Sequence, residues 1–155
     1  MSRPLKFIGF SVVCQEVPDE ISIAINISDC PYKCRGCHSK FLWEYNGELL
    51  LEKLQDIISK YKELVTCVCF MGGDQNEYEL IEAFKITKSN NLKTCLYTGN
   101  DDIENTNKYL PLLDYVKIGR YDESLGGLNF ENTNQRFFVI NNGELTDLTN
   151  TFIKN

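Results

Sequence analysis

From residue 21 onward, segments with a strand pattern alternate with segments with a helix pattern, and this alternation constrains the fold most strongly. The segment Ile21–Ser28 has isoleucine at every second position, which is typical of a half-buried strand. The preceding run LKFIGFSVV is expected to pair beside it. After Gly47, ELLLEKLQDIISKYKEL has apolar residues at helical spacing. The later predicted strands are VTCVCFM, LKTCLYTG, YVKIGRY and RFFVINNGEL, the last with a turn at Asn142-Gly143. The predicted helical segments between them are YELIEAFKITKSN and DDIENTNKYLPLL, and a short helix is expected at the end of the chain.

Such an alternation predicts βα units around a mostly parallel sheet. A closed barrel of eight units takes about 250 residues, and the 155 residues here hold about five units. We therefore expect one α/β domain over residues 1–155, built as a partial, open (β/α) barrel. Parallel α/β proteins bind ligands at the C-terminal ends of their strands, so the loops that follow the strands are the candidate site.

Composition narrows the classes of partner. The chain has 16 Lys and Arg against 22 Asp and Glu, a net charge of −6, which gives no general attraction for nucleic acid or an anionic membrane. No apolar run approaches the roughly 20 residues of a membrane helix, and no secretory signal pattern is visible. We expect a cytoplasmic protein that binds neither nucleic acid nor membrane. Seven cysteines in a reducing compartment indicate metal or redox chemistry.

Three of the cysteines crowd into the segment CPYKCRGC, directly after the Ile21–Ser28 strand. Cys30, Cys34 and Cys37 are close enough for one loop to wrap a [4Fe–4S] cluster, and Gly36 permits close backbone approach. Three thiolates leave one of the four irons without a protein ligand. An open metal position of this kind is what a catalytic site requires.

A structural zinc site is the alternative for the same loop, with a fourth ligand from elsewhere. His38 adjoins Cys37, which makes a closed tetrahedral site awkward. Cys67 and Cys69 alternate along a strand and point to one face, so they could complete a site or be buried hydrophobic residues. Cys14 and Cys95 lie in predicted strands and are expected in the core.

The segment MGGDQ follows the VTCVCF strand and supplies a second candidate loop. Gly72 and Gly73 allow a ligand to approach the backbone, and Asp74 places a carboxylate where it could pair with an ammonium group. The alternative is a strand-to-helix turn in which Asp74 is the helix N-cap.

The motif C-x-x-x-C-x-x-C on a loop after the first barrel strand resembles the signature of the radical S-adenosylmethionine superfamily, and GGD resembles its Gly-Gly-Glu motif with Asp74 in place of Glu. The resemblance implies a [4Fe–4S] cluster ligated by Cys30, Cys34 and Cys37. It also implies S-adenosylmethionine chelated at the open iron and cleaved by one electron to methionine and a 5′-deoxyadenosyl radical. The residues implied to bind the cofactor are Gly36, Cys37, His38, Gly72, Gly73 and Asp74.

The segments CHSKFLWEYNGE, LYTG, GRYDESLGG and TNQR further resemble the activases of anaerobic ribonucleotide reductase, which are also short. Gly36 stands where many superfamily members have an aromatic residue, so the resemblance implies that His38 and backbone groups do more of the positioning. The resemblance implies that the chain generates a glycyl radical on the large subunit of an anaerobic ribonucleoside-triphosphate reductase. A flavodoxin or ferredoxin would donate the electron, with no catalytic residue beyond the cluster and its cofactor. The alternatives are a deazapurine synthase-like enzyme acting on a small molecule and a structural zinc-binding module.

Overall fold

The computed structural model describes residues 3–34, 37 and 40–153, and within them the chain forms an eight-stranded sheet with two α-helices. The strands are β1 (Lys6–Val13), β2 (Ser22–Ile27), β3 (Glu48–Leu49), β4 (Cys67–Met71), β5 (Lys93–Tyr97), β6 (Tyr115–Ile118), β7 (Arg136–Asn141) and β8 (Glu144–Asp147). The helices are α1 (Leu50–Tyr61) and α2 (Glu77–Ser89), with 3₁₀ turns at Lys40–Leu42, Ile103–Leu112 and Thr149–Phe152.

The sheet is open and mixed, in the order β3-β1-β2-β4-β5-β6-β7-β8. The four central strands β2, β4, β5 and β6 run parallel, whereas the outer strands pair antiparallel. Parallel pairing is thus less extensive than the sequence predicts, because short connections such as the turn at Asn142-Gly143 permit only antiparallel neighbours. RFFVINNGEL accordingly forms the hairpin of β7 and β8. A partial (β/α) barrel of about five units stays a prediction.

One face of the sheet is covered by the helices. The predicted apolar face of α1 is buried at Leu54 and Ile58, and α2 adds Leu80 and Phe84. The prediction of a half-buried strand was wrong for β2, in which five of six residues are buried. Since β2 lies inside the sheet with both faces covered, its polar positions are enclosed as well.

The opposite face carries a second, smaller core of buried residues, into which the C-terminal 3₁₀ turn packs Phe152. Its buried members are Val17, Cys67, Cys69, Cys95, Tyr115 and Phe137. The predicted core position of Cys95 is confirmed, but that of Cys14 was wrong, since its side chain is exposed. Cys14 comes directly after the last residue of β1, where the chain has left the sheet.

No helix in the described part of the chain is both long and apolar enough to span a membrane.

Candidate metal centre

The loop that carries the cysteines is fixed where it leaves the end of β2. Ser28 Oγ donates to the carbonyl of Asn46 at 2.6 Å, and Gln75 Nε2 donates to the carbonyl of Ser28 at 2.8 Å. The Cys30 N–H donates to the carbonyl of Leu42 at 2.9 Å. These bonds tie the start of the loop to the segments that follow β2 and β4, so the first cysteine has a defined place at the strand ends.

The three loop cysteines line one cavity of about 170 Å³ at the C-terminal ends of β2, β4, β5 and β6. Their side chains are partly exposed, and the Cys37 N–H donates to the carbonyl of Cys34 at 3.1 Å. The structure brings the predicted site residues Cys30, Cys34, Cys37, Gly72, Gly73 and Asp74 to this cavity. The two remaining predicted residues, Gly36 and His38, lie outside the described residues.

The donor set fits an iron–sulfur cluster. Across residues 3–34, 37 and 40–153, no three Cys, His, Asp or Glu side chains are placed to hold one ion. Cys67 and Cys69, the further ligands considered for zinc, are fully buried in the second core. In a cubane cluster each thiolate binds a different iron, so the ligands need not converge on one point. Three partly exposed thiols on one loop can therefore serve as ligands to such a cluster without converging on one point.

The two glycines after β4 are required by the backbone itself. Gly72 and Gly73 have φ values of +109° and +113°, in the left-handed region that favours glycine. A Cβ atom on Gly73 would lie only 2.8 Å from Leu80 Cδ1. A bulky residue at position 73 would therefore strain the fold as well as the cavity, so such a variant cannot isolate ligand binding.

Asp74 is held by hydroxyl groups from two other elements. Tyr32 Oη donates to Asp74 Oδ2 at 2.9 Å, and Thr98 Oγ1 donates to the same oxygen. Among the described residues, Asp74 Oδ1 has no hydrogen-bond partner. The alternative of Asp74 as helix N-cap was wrong, because Asn76 Oδ1 accepts from the Glu79 N–H at 3.2 Å and caps α2. One carboxylate oxygen of Asp74 is thus fixed while the other can accept a donor.

Tyr32 joins the cysteine loop to the rest of the cavity, and the sequence analysis missed it. Its ring packs over Gly99, where an added Cβ would lie 2.7 Å from the ring, and under the guanidinium of Arg120 at 5.3 Å from the centroid. Burial raises the pKa of Tyr32 to about 12, so its hydroxyl remains a donor at neutral pH. The available signal was its position between the first two cysteines of the motif.

Lys117 is the second residue that the sequence analysis left without a role. It lies on β6 opposite Tyr97 and lines the cavity together with the three cysteines. Burial lowers the pKa of its ammonium group. The sulfur atoms that oppose this effect belong to Cys69, Cys34, Cys95 and Cys30. A charged residue within the apolar strand YVKI was the signal that could have identified it.

The match to a known family covers residues 21–137, about three quarters of the chain, and the family is described as the 4Fe-4S single cluster domain. The chain belongs to this family. The matched region runs from just before β2 into β7 and contains the cysteine loop and the GGD loop. Comparison with curated proteins found no match, and comparison with solved structures found none. The family supports a [4Fe–4S] cluster as the cofactor, and the loop cysteines are the residues that would hold it.

Proposed function

We propose that this iron–sulfur protein is a radical S-adenosylmethionine activase that generates a glycyl radical on the large subunit of an anaerobic ribonucleoside-triphosphate reductase. One observation carries the proposal. The three loop thiols, the two left-handed glycines and the carboxylate of Asp74 line a single cavity at the strand ends. Three thiolates would leave a cluster one open iron, and Asp74 supplies a carboxylate in the same cavity for a cationic ligand.

The roles of the residues follow from their contacts. Cys30, Cys34 and Cys37 would hold the cluster, which when bound supplies the electron that cleaves S-adenosylmethionine. Asp74 Oδ1 would accept from the amino group of S-adenosylmethionine, since Tyr32 and Thr98 already occupy Oδ2. The two hydroxyls would keep the carboxylate in one orientation, so little freedom is lost when the cofactor binds.

The open sheet supports a macromolecular substrate, because its strand ends are not enclosed by a closed barrel and the cysteine cavity lies at those ends. The proposed substrate is a backbone Cα–H on a flexible loop of the reductase, which would reach the cavity from outside. A one-electron donor such as flavodoxin or ferredoxin would reduce the cluster.

The test is anaerobic reconstitution with iron and sulfide, followed by reduction and addition of S-adenosylmethionine. We expect 5′-deoxyadenosine, and with the anaerobic reductase from the same source a doublet glycyl-radical signal in electron paramagnetic resonance. Asp74→Asn should weaken S-adenosylmethionine binding while leaving the iron content unchanged, because Asn keeps the shape and removes the charge. Absence of 5′-deoxyadenosine from a fully reconstituted, reduced protein would overturn the proposal.

A second candidate, an enzyme of the same chemistry acting on a small molecule, is favoured by a neighbouring pocket. This pocket has about 290 Å³ and shares Asp74, Tyr32 and Thr98 with the cysteine cavity. Its lining includes Tyr109, whose buried hydroxyl has no hydrogen-bond partner among the described residues. Steady formation of 5′-deoxyadenosine without a radical on the reductase would favour this candidate over the activase.

A further inference from the structure

Lys117 brings a cationic side chain to a cavity that its neighbours line with sulfur. Its Nζ atom lies 5.2 Å from the centre of the Tyr97 ring and 3.5 Å from the carbonyl oxygen of Gly119, a distance at the limit of a hydrogen bond. In the part of the chain that the structure describes, it forms no ion pair. The carboxylate that shares its cavity, Asp74, is bonded to Tyr32 and Thr98.

A partly buried ammonium group without an anionic partner is costly, because water is lost and no opposite charge replaces it. Lys117 lines the same cavity as the loop cysteines, and the groups that act on its charge or ring contact come from three elements: the cysteine loop, β4 and β5. They are the thiols of Cys30 and Cys34, the thiols of Cys69 and Cys95, and the ring of Tyr97. Buried thiols such as Cys95 stay neutral, so the loop sulfurs are the available source of negative charge.

We propose that Lys117 is the counter-charge of the [4Fe–4S] cluster, a positioning residue that stabilises its reduced form and raises its reduction potential. This inference rests on the cluster that the family match supports and not on the cleavage of S-adenosylmethionine. Each thiolate adds negative charge to the site, and reduction adds one more electron from a one-electron donor. No bond forms or breaks, and the proposed role requires no proton transfer. A fixed positive charge nearby favours the more negative state, and low local polarity strengthens the effect.

The test is a potentiometric titration of the cluster-bearing protein without S-adenosylmethionine, followed by the electron paramagnetic resonance of the reduced cluster. Lys117→Met keeps the length and removes the charge. We expect its reduced-to-oxidised ratio to fall about tenfold at a given ambient potential, which equals about 59 mV for a one-electron couple. Lys117→Arg keeps the charge and should titrate close to wild type. Lys85→Met is the matched control, because Lys85 is an exposed lysine of α2 that pairs with Glu82.

Lys117→Gln provides a second neutral variant if the Met variant folds poorly. Loss of the cluster from both neutral variants, with retention in Lys117→Arg, would support the same counter-charge role. A neutral variant that holds the cluster and titrates like wild type would overturn the inference. Because the titration contains no S-adenosylmethionine, a failure to form 5′-deoxyadenosine would count against the proposed function alone.

Discussion

The three cysteines of the loop and the three of the inner strands place the same thiol group in opposite surroundings. Cys30, Cys34 and Cys37 are partly exposed on a loop beyond the end of β2. Cys67, Cys69 and Cys95 are fully buried on β4 and β5, in the second core. Cys69 and Cys95 are direct neighbours in the parallel register of the two strands. Both sets are compact, so proximity alone does not distinguish them.

The difference lies in the burial of the thiols. Burial raises the pKa of the Cys67 thiol and that of Cys95 well above the ordinary value of 9.0. Metals and electrophiles take the thiolate form, so these thiols behave as small apolar side chains. The loop thiols are partly exposed and line a cavity that iron can enter. The comparison teaches that the environment of a cysteine group, more than its density, decides whether it is a ligand set.

The largest expected effect is loss of the cluster when a loop cysteine is removed. Cys30→Ala, Cys34→Ala or Cys37→Ala should each abolish stable cluster binding, because two thiolates remain to hold four irons. Iron and acid-labile sulfide analysis, with the visible absorption, measures the loss. Cys69→Ala is the matched control and should keep about four irons per chain at a stability cost of roughly 1 kcal/mol. A folded Cys69→Ala variant without a cluster would contradict the claim that only the loop cysteines are cluster ligands.

A second expected effect is a difference in alkylation rate of at least about a hundredfold. In the cluster-bearing protein, iodoacetamide should modify the exposed Cys14 and spare the strand cysteines, because a buried thiol reacts only when the structure opens. After a chelator removes the cluster, the three loop cysteines should become reactive. Mass spectrometry of peptides gives the rate at each site, and circular dichroism checks that the chelated chain is folded. Rapid modification of Cys95 in that folded state would contradict the burial of the second set.

The sequence predicted the elements where the pattern is local. The helix α1 and the strands β4 and β5 are confirmed, because periodic apolar positions and flanking breakers lie within each segment. The core position of Cys14 was wrong, since a strand's end depends on the pairing of its neighbours. The burial of both faces of β2 was likewise set by the strands and helices around it, which its own alternation does not encode.

The site shows the same division between local and tertiary information. The loop cysteines and the glycines after β4 were predicted from their pattern along the chain, and they line one cavity. Their role in binding a cofactor stays a prediction. The bonds from Tyr32 and Thr98 to Asp74 join residues 42 and 24 positions apart, so no local pattern announces them. Lys117 was visible as a charge in an apolar strand, but its direction into the cavity depends on the register of β6 with β5.

A third prediction concerns alkaline pH, at which the buried strand thiols should make the folded protein less stable. The pKa values of the Cys67 and Cys95 thiols are raised in the folded protein, so the stabilisation that these two thiols contribute is complete below about 9 and declines as pH rises toward the folded values. By pH 10 the loss should reach roughly 1.4 kcal/mol per buried thiol. Urea unfolding midpoints of wild type and Cys67→Ala between pH 7 and 10 measure it. Cys67→Ala has one buried thiol fewer, so by pH 10 it should lose roughly 1.4 kcal/mol less stability than wild type. If the stability of the two proteins fell equally with pH, the raised pKa of Cys67 would be contradicted.

The smallest expected effect tests whether the hydrogen bond from Tyr32 to Asp74 stabilises the loop that carries Cys30, Cys34 and Cys37. Tyr32→Phe removes the hydroxyl that donates to Asp74 Oδ2 and keeps the ring that packs over Gly99. One hydrogen bond contributes about 1 kcal/mol, so we expect the cluster to form normally but to be lost to a chelator about fivefold faster. Bleaching of the visible absorption under anaerobic conditions gives the rate. Tyr45→Phe is the matched control, because the Tyr45 hydroxyl donates to the carbonyl of Pro4 and the residue does not line the cavity. If both variants released the cluster at the wild-type rate, the bond to Asp74 would not fasten the loop, and the cluster ligands alone would hold it in place.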